Sequence, residues 1–201
     1  MACSVPILAY SGPAVGLDHN ACACYKLSKL YAKERGQLTY TDDSIVFRAP
    51  SIDDGAAIHS VVQRTGVLDV NSCYLYLLLS SEFADTCVVA EEDEHLIGFV
   101  TGFCPPKRPY SIFLWQIGVD PNAQGKGLGK RLLRAFLDSP GAAQATTLET
   151  TISPSNTASQ RLFEAIARER GATVSTSEYF REDHFPAGHE AEELYRIAPI
   201  R

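Results

Sequence analysis

The feature that most constrains this chain is a turn. Residues Gln124-Gly125-Lys126-Gly127-Leu128-Gly129-Lys130 follow an unbroken apolar run, Ile112 to Val119. They lead into a segment where Leu128, Leu132, Leu133, Phe136 and Leu137 recur at helical spacing with Lys130, Arg131 and Arg134 facing outward. A strand that passes through a glycine-rich bend into a helix leaves the first helical N–H groups facing the bend, where they and the helix dipole attract an anion. Glycines let the main chain approach such a guest closely. Residues 124 to 134 hold Lys126, Lys130, Arg131 and Arg134 and no acid, which makes a phosphate the natural ligand. Two other phosphate loops fail on spacing. A Walker loop needs Gly at 124 and Ser or Thr at 131, where the chain has Gln124 and Arg131; a dinucleotide fingerprint needs Gly at 130 and finds Lys130. A turn that merely caps its helix stays open as an alternative until the neighbouring residues are considered.

The 201 residues suit one principal domain. With 18 basic and 24 acidic residues the formal charge is −6, which repels a phosphate backbone over most of the surface and argues against general nucleic-acid binding. No apolar run reaches the length of about 18 residues that a bilayer span requires. Six cysteines are too sparse for a disulfide scaffold and three lie in apolar runs, so a reducing compartment is expected. Met1 to Gly16 lack a basic start, a poor secretory signal, and the expected location is cytoplasmic. Residues 1–44, broken by Gly12, Pro13 and Gly16, read as a flexible N-terminal extension, with the domain over 45–201. Cys22 and Cys24 lack the second pair a metal site would need and read as unliganded thiols.

From Ile45 the pattern sharpens. A strand is expected at Ile45 to Arg48, then a helix opened by Ser51 and Asp54 with Ile58, Val61 and Val62 inward, and a second helix over Ser72 to Phe83. Apolar runs at Thr86 to Ala90, Leu96 to Phe103 and Ile112 to Val119, separated by Glu92-Asp93-Glu94 and by Pro105-Pro106, make an antiparallel meander. After the glycine turn and its helix come a strand at Thr147 to Ile152 and a helix from about Asn156 to Arg170, with Ala158, Leu162, Ala165 and Ile166 on one face and Gly171 as its stop. Strands near Thr173 to Ser177 and Glu193 to Ile197 close the chain.

Val119-Asp120-Pro121 followed by Gln124-x-x-Gly127-x-Gly129, between a strand and a helix, resembles the acetyl-CoA motif of the GNAT N-acetyltransferase superfamily. Dispersed segments, among them Leu68-Asp69-Val70-Asn71-Ser72, Trp115-Gln116, Glu149-Thr150-Thr151 and Gly188-His189-Glu190, are similar in content and order to the diaminobutyrate acetyltransferase family of ectoine biosynthesis, over about residues 45 to 199. The resemblance implies a GNAT α/β (α+β) fold: a mixed, mostly antiparallel sheet of about seven strands flanked by about four helices. It implies acetyl-CoA as co-substrate with no metal, L-2,4-diaminobutyrate as the small-molecule substrate acetylated on its gamma-amino group, and a cytoplasmic homodimer that binds neither nucleic acid nor membrane.

Site residues follow from the same resemblance. The coenzyme's pyrophosphate falls to Gln124, Gly125, Lys126, Gly127, Gly129 and Lys130, its pantetheine arm to Asn156, and the thioester oxygen to backbone N–H groups between Ile117 and Val119. The tyrosine that relatives often carry as a proton donor to the thiolate is replaced by Phe163. An alkyl ammonium is no nucleophile until it loses a proton. Where some relatives place a glutamate base this chain has Gln116, so the base is sought in Glu192 supported by His189, with Glu149 as a further candidate. Asp69 suits the second ammonium, Tyr74, Thr151 and Asn71 the carboxylate, and Trp115 the aliphatic chain. Bland alternatives remain: a solvated acidic run at Glu190 to Glu193, and Trp115 as a core aromatic. Two other functions also stay open. One is a GNAT enzyme for another small amine, a polyamine or a protein N-terminus, which a wide acidic groove would favour; the other is a CoA-binding module without turnover.

Overall fold

Alternation of apolar and polar residues in Ile45–Arg48 buries Ile45 and Phe47 and makes this strand (β3) the start of the continuous core. The computed structural model describes the backbone of residues 31–34, 37–42 and 44–201, and side chains from Ser44 onward. Cys22, Cys24 and most of the N-terminal extension lie outside the described residues. Two short strands precede β3, Tyr31–Glu34 (β1) and Gln37–Asp42 (β2), where the sequence suggests only a tail. Their pattern is too short and polar to announce a strand, and what defines β2 is its antiparallel pairing with β3.

Helix α1 (Gly55–Thr65) buries Ile58, Val61 and Val62 as expected. It enters through Ser51, whose N–H and hydroxyl both donate to Asp54, and Asp54 in turn receives two 2.8 Å bonds from Arg48. Gly66, at φ 65°, ends it in the left-handed conformation. Helix α2 (Cys73–Glu82) then leads into the meander β4 (Val88–Glu92), β5 (His95–Phe103) and β6 (Ser111–Val119). The acidic tip Asp93-Glu94 has positive φ at both residues, as a tight two-residue hairpin turn demands.

Helix α3 (Leu128–Leu137) buries the five residues that its spacing selects. Strand β7 (Thr147–Ile152) and helix α4 (Thr157–Arg170) follow. The buried face of α4 is Phe163, Ile166 and Ala167, so the expected face is rotated and Ala158 is exposed; the bulky Phe163, not the small alanine, takes the core position. Strands β8 (Thr173–Phe180) and β9 (Glu192–Ala198) complete the fold, β8 exposed along its whole length.

The sheet order is β1-β2-β3-β4-β5-β6-β7-β9-β8. Seven strands and four α-helices match the expected architecture, and β1 and β2 extend it to nine. Every pairing is antiparallel except β6 with β7, which are parallel and pair only from Ser111↔Thr147 to Phe113↔Glu149. Beyond that point β7 continues against β9 while β6 continues against β5, so the two parallel strands diverge over Leu114 to Val119. One buried cluster packs α3 and α4 on one face of the sheet, and a smaller one around Ile58, Tyr76 and Phe99 packs α1 and α2 on the other.

Candidate active site

The divergence of β6 from β7 leaves β6 without a strand partner on that side beyond Phe113, over the stretch that carries Ile117 and Val119. At the end of β6, Asp120 caps a single turn by accepting from the Asn122 amide at 3.0 Å, and Arg64 at the end of α1 donates to its other oxygen at 2.7 Å. Burial alone would raise the Asp120 pKa, but these donors outweigh it and hold the carboxyl below its ordinary value. The glycine turn is thereby anchored to α1.

Gly125 (φ 80°) and Gly127 (φ 71°) adopt left-handed backbone, and a Cβ at either would meet open space. These glycines serve conformation, not room. The amides of Lys130 and Arg131 both turn back to the Gly127 carbonyl, at 3.2 and 3.3 Å. Among the described residues, no main-chain acceptor pairs the amides of residues 125–129. This row of unspent donors at the head of a helix fits a pyrophosphate. The Gln124 side chain donates back to the Val119 carbonyl at 3.4 Å, bracing the turn from inside.

The basic side chains behave differently from the expected open cluster. Lys130 and Arg134 both pair with Glu169 of α4, at 2.8 and 2.6 Å, and Arg131 stacks over the Phe47 ring at 5.2 Å. The acid that balances them was missed because it lies on the neighbouring helix, outside the local window. Glu169, hydrogen-bonded first by Arg134 and then by Lys130, has its pKa held down at about 2. Lys126 stays exposed at the turn. Asn156 caps α4 by accepting from the Ser159 amide at 3.1 Å, which spends its carbonyl oxygen and leaves its NH2 for a ligand. Phe163 is buried in the core, and its ring has no proton to give.

The side chains expected from sequence to serve the amine come from distant segments. Asp69 and His189 meet across the molecule, Oδ2 to Nε2 at 3.8 Å. His189 is stacked on Phe185, and its Nδ1 lies 2.7 Å from the Glu190 carbonyl, which places the proton on Nδ1 and turns Nε2 toward Asp69. Thr151 donates its hydroxyl to Glu192 across the β7–β9 ladder. The buried Gln116 accepts from the Tyr76 hydroxyl at 2.9 Å and donates to the Asp69 carbonyl at 3.1 Å, tying α2 and the Asp69 loop to β6. Trp115 sits at a bulge of β6 opposite Thr101/Gly102, its ring 6.2 Å from that of Tyr76, at one wall of a cleft of about 500 Å³. Phe103, Phe113, Tyr179 and Phe180 line the same cleft with Lys107 and Arg108.

Several assignments change on this geometry. Glu149, proposed from sequence to bind substrate or act as base, is 1% exposed and receives Arg108 at 2.7 Å, Arg196 at 3.1 Å and Ser111 at 3.3 Å, so its lone pairs are spent inside the protein. Asn71 donates its NH2 to the Asp69 carbonyl at 3.2 Å, which ties it to the loop that carries Asp69. Thr151 is the partner of Glu192 and no longer a free donor for a carboxylate. Tyr74 is 72% exposed and the Asp69 side chain 84% exposed, so neither is enclosed. Among the described residues no group of His, Cys, Asp and Glu could hold a metal, and no helix is long and apolar enough to cross a membrane.

Comparison with known proteins identifies the family. The acetyltransferase (GNAT) family matches residues 57–167. An L-2,4-diaminobutyric acid acetyltransferase of Marinococcus halophilus is 48% identical over 159 residues, covering 79% of this chain and 92% of the relative. One of Halalkalibacterium halodurans is 45% identical over 79% of this chain and 84% of its own. The structure of the diaminobutyrate acetyltransferase EctA from Paenibacillus lautus, in complex with L-2,4-diaminobutyric acid and coenzyme A, superposes with a TM-score of 0.75 at 35% identity, covering 78% of this chain and 96% of that one. The glycine turn, the diverging strands and these relatives together make the chain a member of the GNAT acetyltransferase family, grouped with its diaminobutyrate acetyltransferases.

Proposed function

We propose that the chain transfers the acetyl group of acetyl-CoA to the gamma-amino group of L-2,4-diaminobutyrate, a step of ectoine biosynthesis, and that residues 45–201 form the domain that does so. The observation that carries this reading is the row of unpaired amides at the head of α3; two side-chain pairs that join distant segments, Asp69 with His189 and Thr151 with Glu192, support it on the acceptor side. The unpaired amides at 125–129, with Lys126 and Asn156, are assigned to hold the co-substrate, which supplies an acyl carbon already activated as a thioester.

The chain's own residues then have four tasks. Asp69 and Trp115 attract the ammonium groups. Glu192, steadied by Thr151 on one oxygen, accepts the proton that the amine must lose, either directly or through water, with His189 held by Glu190 and Phe185 to pass it on. Backbone N–H groups near Ile117 to Val119 stabilise the charge that develops on the thioester oxygen. The departing thiolate is a weak enough base to leave without the missing tyrosine. The charged residues lining the cleft are Lys107 and Arg108, which disfavours a polyamine and suits an amine that also carries a carboxylate. We place the enzyme in the cytoplasm as a homodimer, in line with the family resemblance.

Purified protein mixed with acetyl-CoA and L-2,4-diaminobutyrate is expected to release CoA and yield the mono-acetylated product in equal amounts. No CoA release above the hydrolysis blank would refute the assignment.

A further inference from the structure

Resting on the function proposed above, we propose that Arg108 recognises the α-carboxylate of the substrate, and that the buried Glu149, outside the chemistry itself, aims it. Of the donors suggested by sequence for that carboxylate, Thr151 bonds Glu192 and Asn71 bonds the Asp69 carbonyl, while Tyr74 is largely in solvent. Arg108 lies in the loop between β5 and β6 and lines the cleft together with Trp115. Glu149 takes its Nε–H at 2.7 Å, which fixes the plane of the guanidinium and leaves its two terminal nitrogens for Tyr179 and a ligand.

Charge balance points the same way. Glu149 is shared between two guanidiniums, those of Arg108 and Arg196, so the cluster keeps one net positive charge beside an aromatic cleft. A guanidinium fork beside aromatic walls is matched to a carboxylate. The site then has two poles: Asp69 and Glu192 for ammonium, Arg108 for carboxylate. A diamino acid presents the same two poles.

The test compares full-length wild type and variants on two acceptors of equal amine spacing, L-2,4-diaminobutyrate and 1,3-diaminopropane, which lacks the carboxylate. Arg108→Ala is expected to raise KM for diaminobutyrate about 10- to 100-fold, the loss typical of a charge-assisted hydrogen-bonded pair, while leaving KM for diaminopropane within about twofold of wild type. Glu149→Gln is expected to shift KM in the same selective way by about threefold to tenfold. Arg108→Lys keeps the charge without the fork. It serves if the alanine variant does not fold: a rise confined to the carboxylate substrate supports the proposal. Equal losses on both acceptors, or no loss on either, overturn the role of Arg108 while leaving the function standing. A wild-type enzyme inert toward diaminobutyrate overturns the function and this inference together.

Discussion

The two halves of the proposed site are built on different principles. The coenzyme side is written in main chain: seven consecutive residues, two of them glycines with positive φ, place a row of amides at the head of α3. The amine side is written in side chains drawn from the α1–α2 loop, β6, β7, the β8–β9 connection and β9, each tied to another residue: Asp69 through its main-chain carbonyl to Gln116, Glu192 to Thr151, His189 to Glu190 and Phe185. A backbone site tolerates any side chain that leaves φ and ψ alone. A side-chain site fails when one brace is removed. The proposed assignment therefore makes binding of the coenzyme and choice of the acceptor amine separable.

Substitutions can break or sharpen that contrast. The largest effect is expected for Glu192→Gln, which removes the proton acceptor: kcat should fall by about 10²- to 10⁴-fold, with the acetyl-CoA dissociation constant from calorimetry unchanged. Wild-type kcat in this variant would move the base elsewhere. Gly127→Val forces a β-branched residue into the left-handed region and should weaken acetyl-CoA binding by about 10- to 100-fold while KM for the amine hardly changes; an effect on the amine alone would contradict the division. Gln116→Ala should raise the amine KM by roughly tenfold and lower stability by about 1–3 kcal/mol, because it takes the side-chain acceptor from the buried Tyr76 hydroxyl and one of two donors from the Asp69 carbonyl. Unchanged steady-state parameters and melting temperature would remove Gln116 from its bracing role.

The smallest effect concerns Glu169, whose pKa of about 2 lies below the ordinary 4.5. A depressed carboxyl contributes stability that is fully present above pH 4.5 and is lost as the pH falls toward 2. The advantage of wild type over Glu169→Gln in urea midpoint should therefore be constant near neutrality and shrink across that window. It should stay modest, since the pairs with Lys130 and Arg134 are partly solvated. An advantage that grew on acidification would contradict the assignment.

The same contrast explains which features are legible in the sequence. The glycine turn, the helical spacing of Leu128 to Leu137 and strand β7 were legible because each is local: a handful of adjacent residues determines φ, ψ and which face is buried. The family resemblance brought Asp69, His189 and Glu192 forward, but local pattern could not say what each would bond. Glu149 looked like a catalytic carboxylate until Arg108 and Arg196 were seen on either side of it, one of them in a proline-rich loop that reads only as a chain breaker. Glu169 was invisible as the counter-charge of the turn because α4 must pack on α3 before the two meet. Strands β1 and β2 depend on pairing with β3 and its neighbours, which no window of their own residues encodes.

The central claim is that main-chain amides of residues 125–129 grip the coenzyme. Amide hydrogen exchange followed residue by residue, with and without saturating CoA, measures this directly. The account predicts that exchange at Gly125, Lys126, Gly127, Leu128 and Gly129 slows by an order of magnitude or more when CoA binds. Coenzyme that binds, as shown by calorimetry, while exchange at those five amides stays unchanged would contradict it.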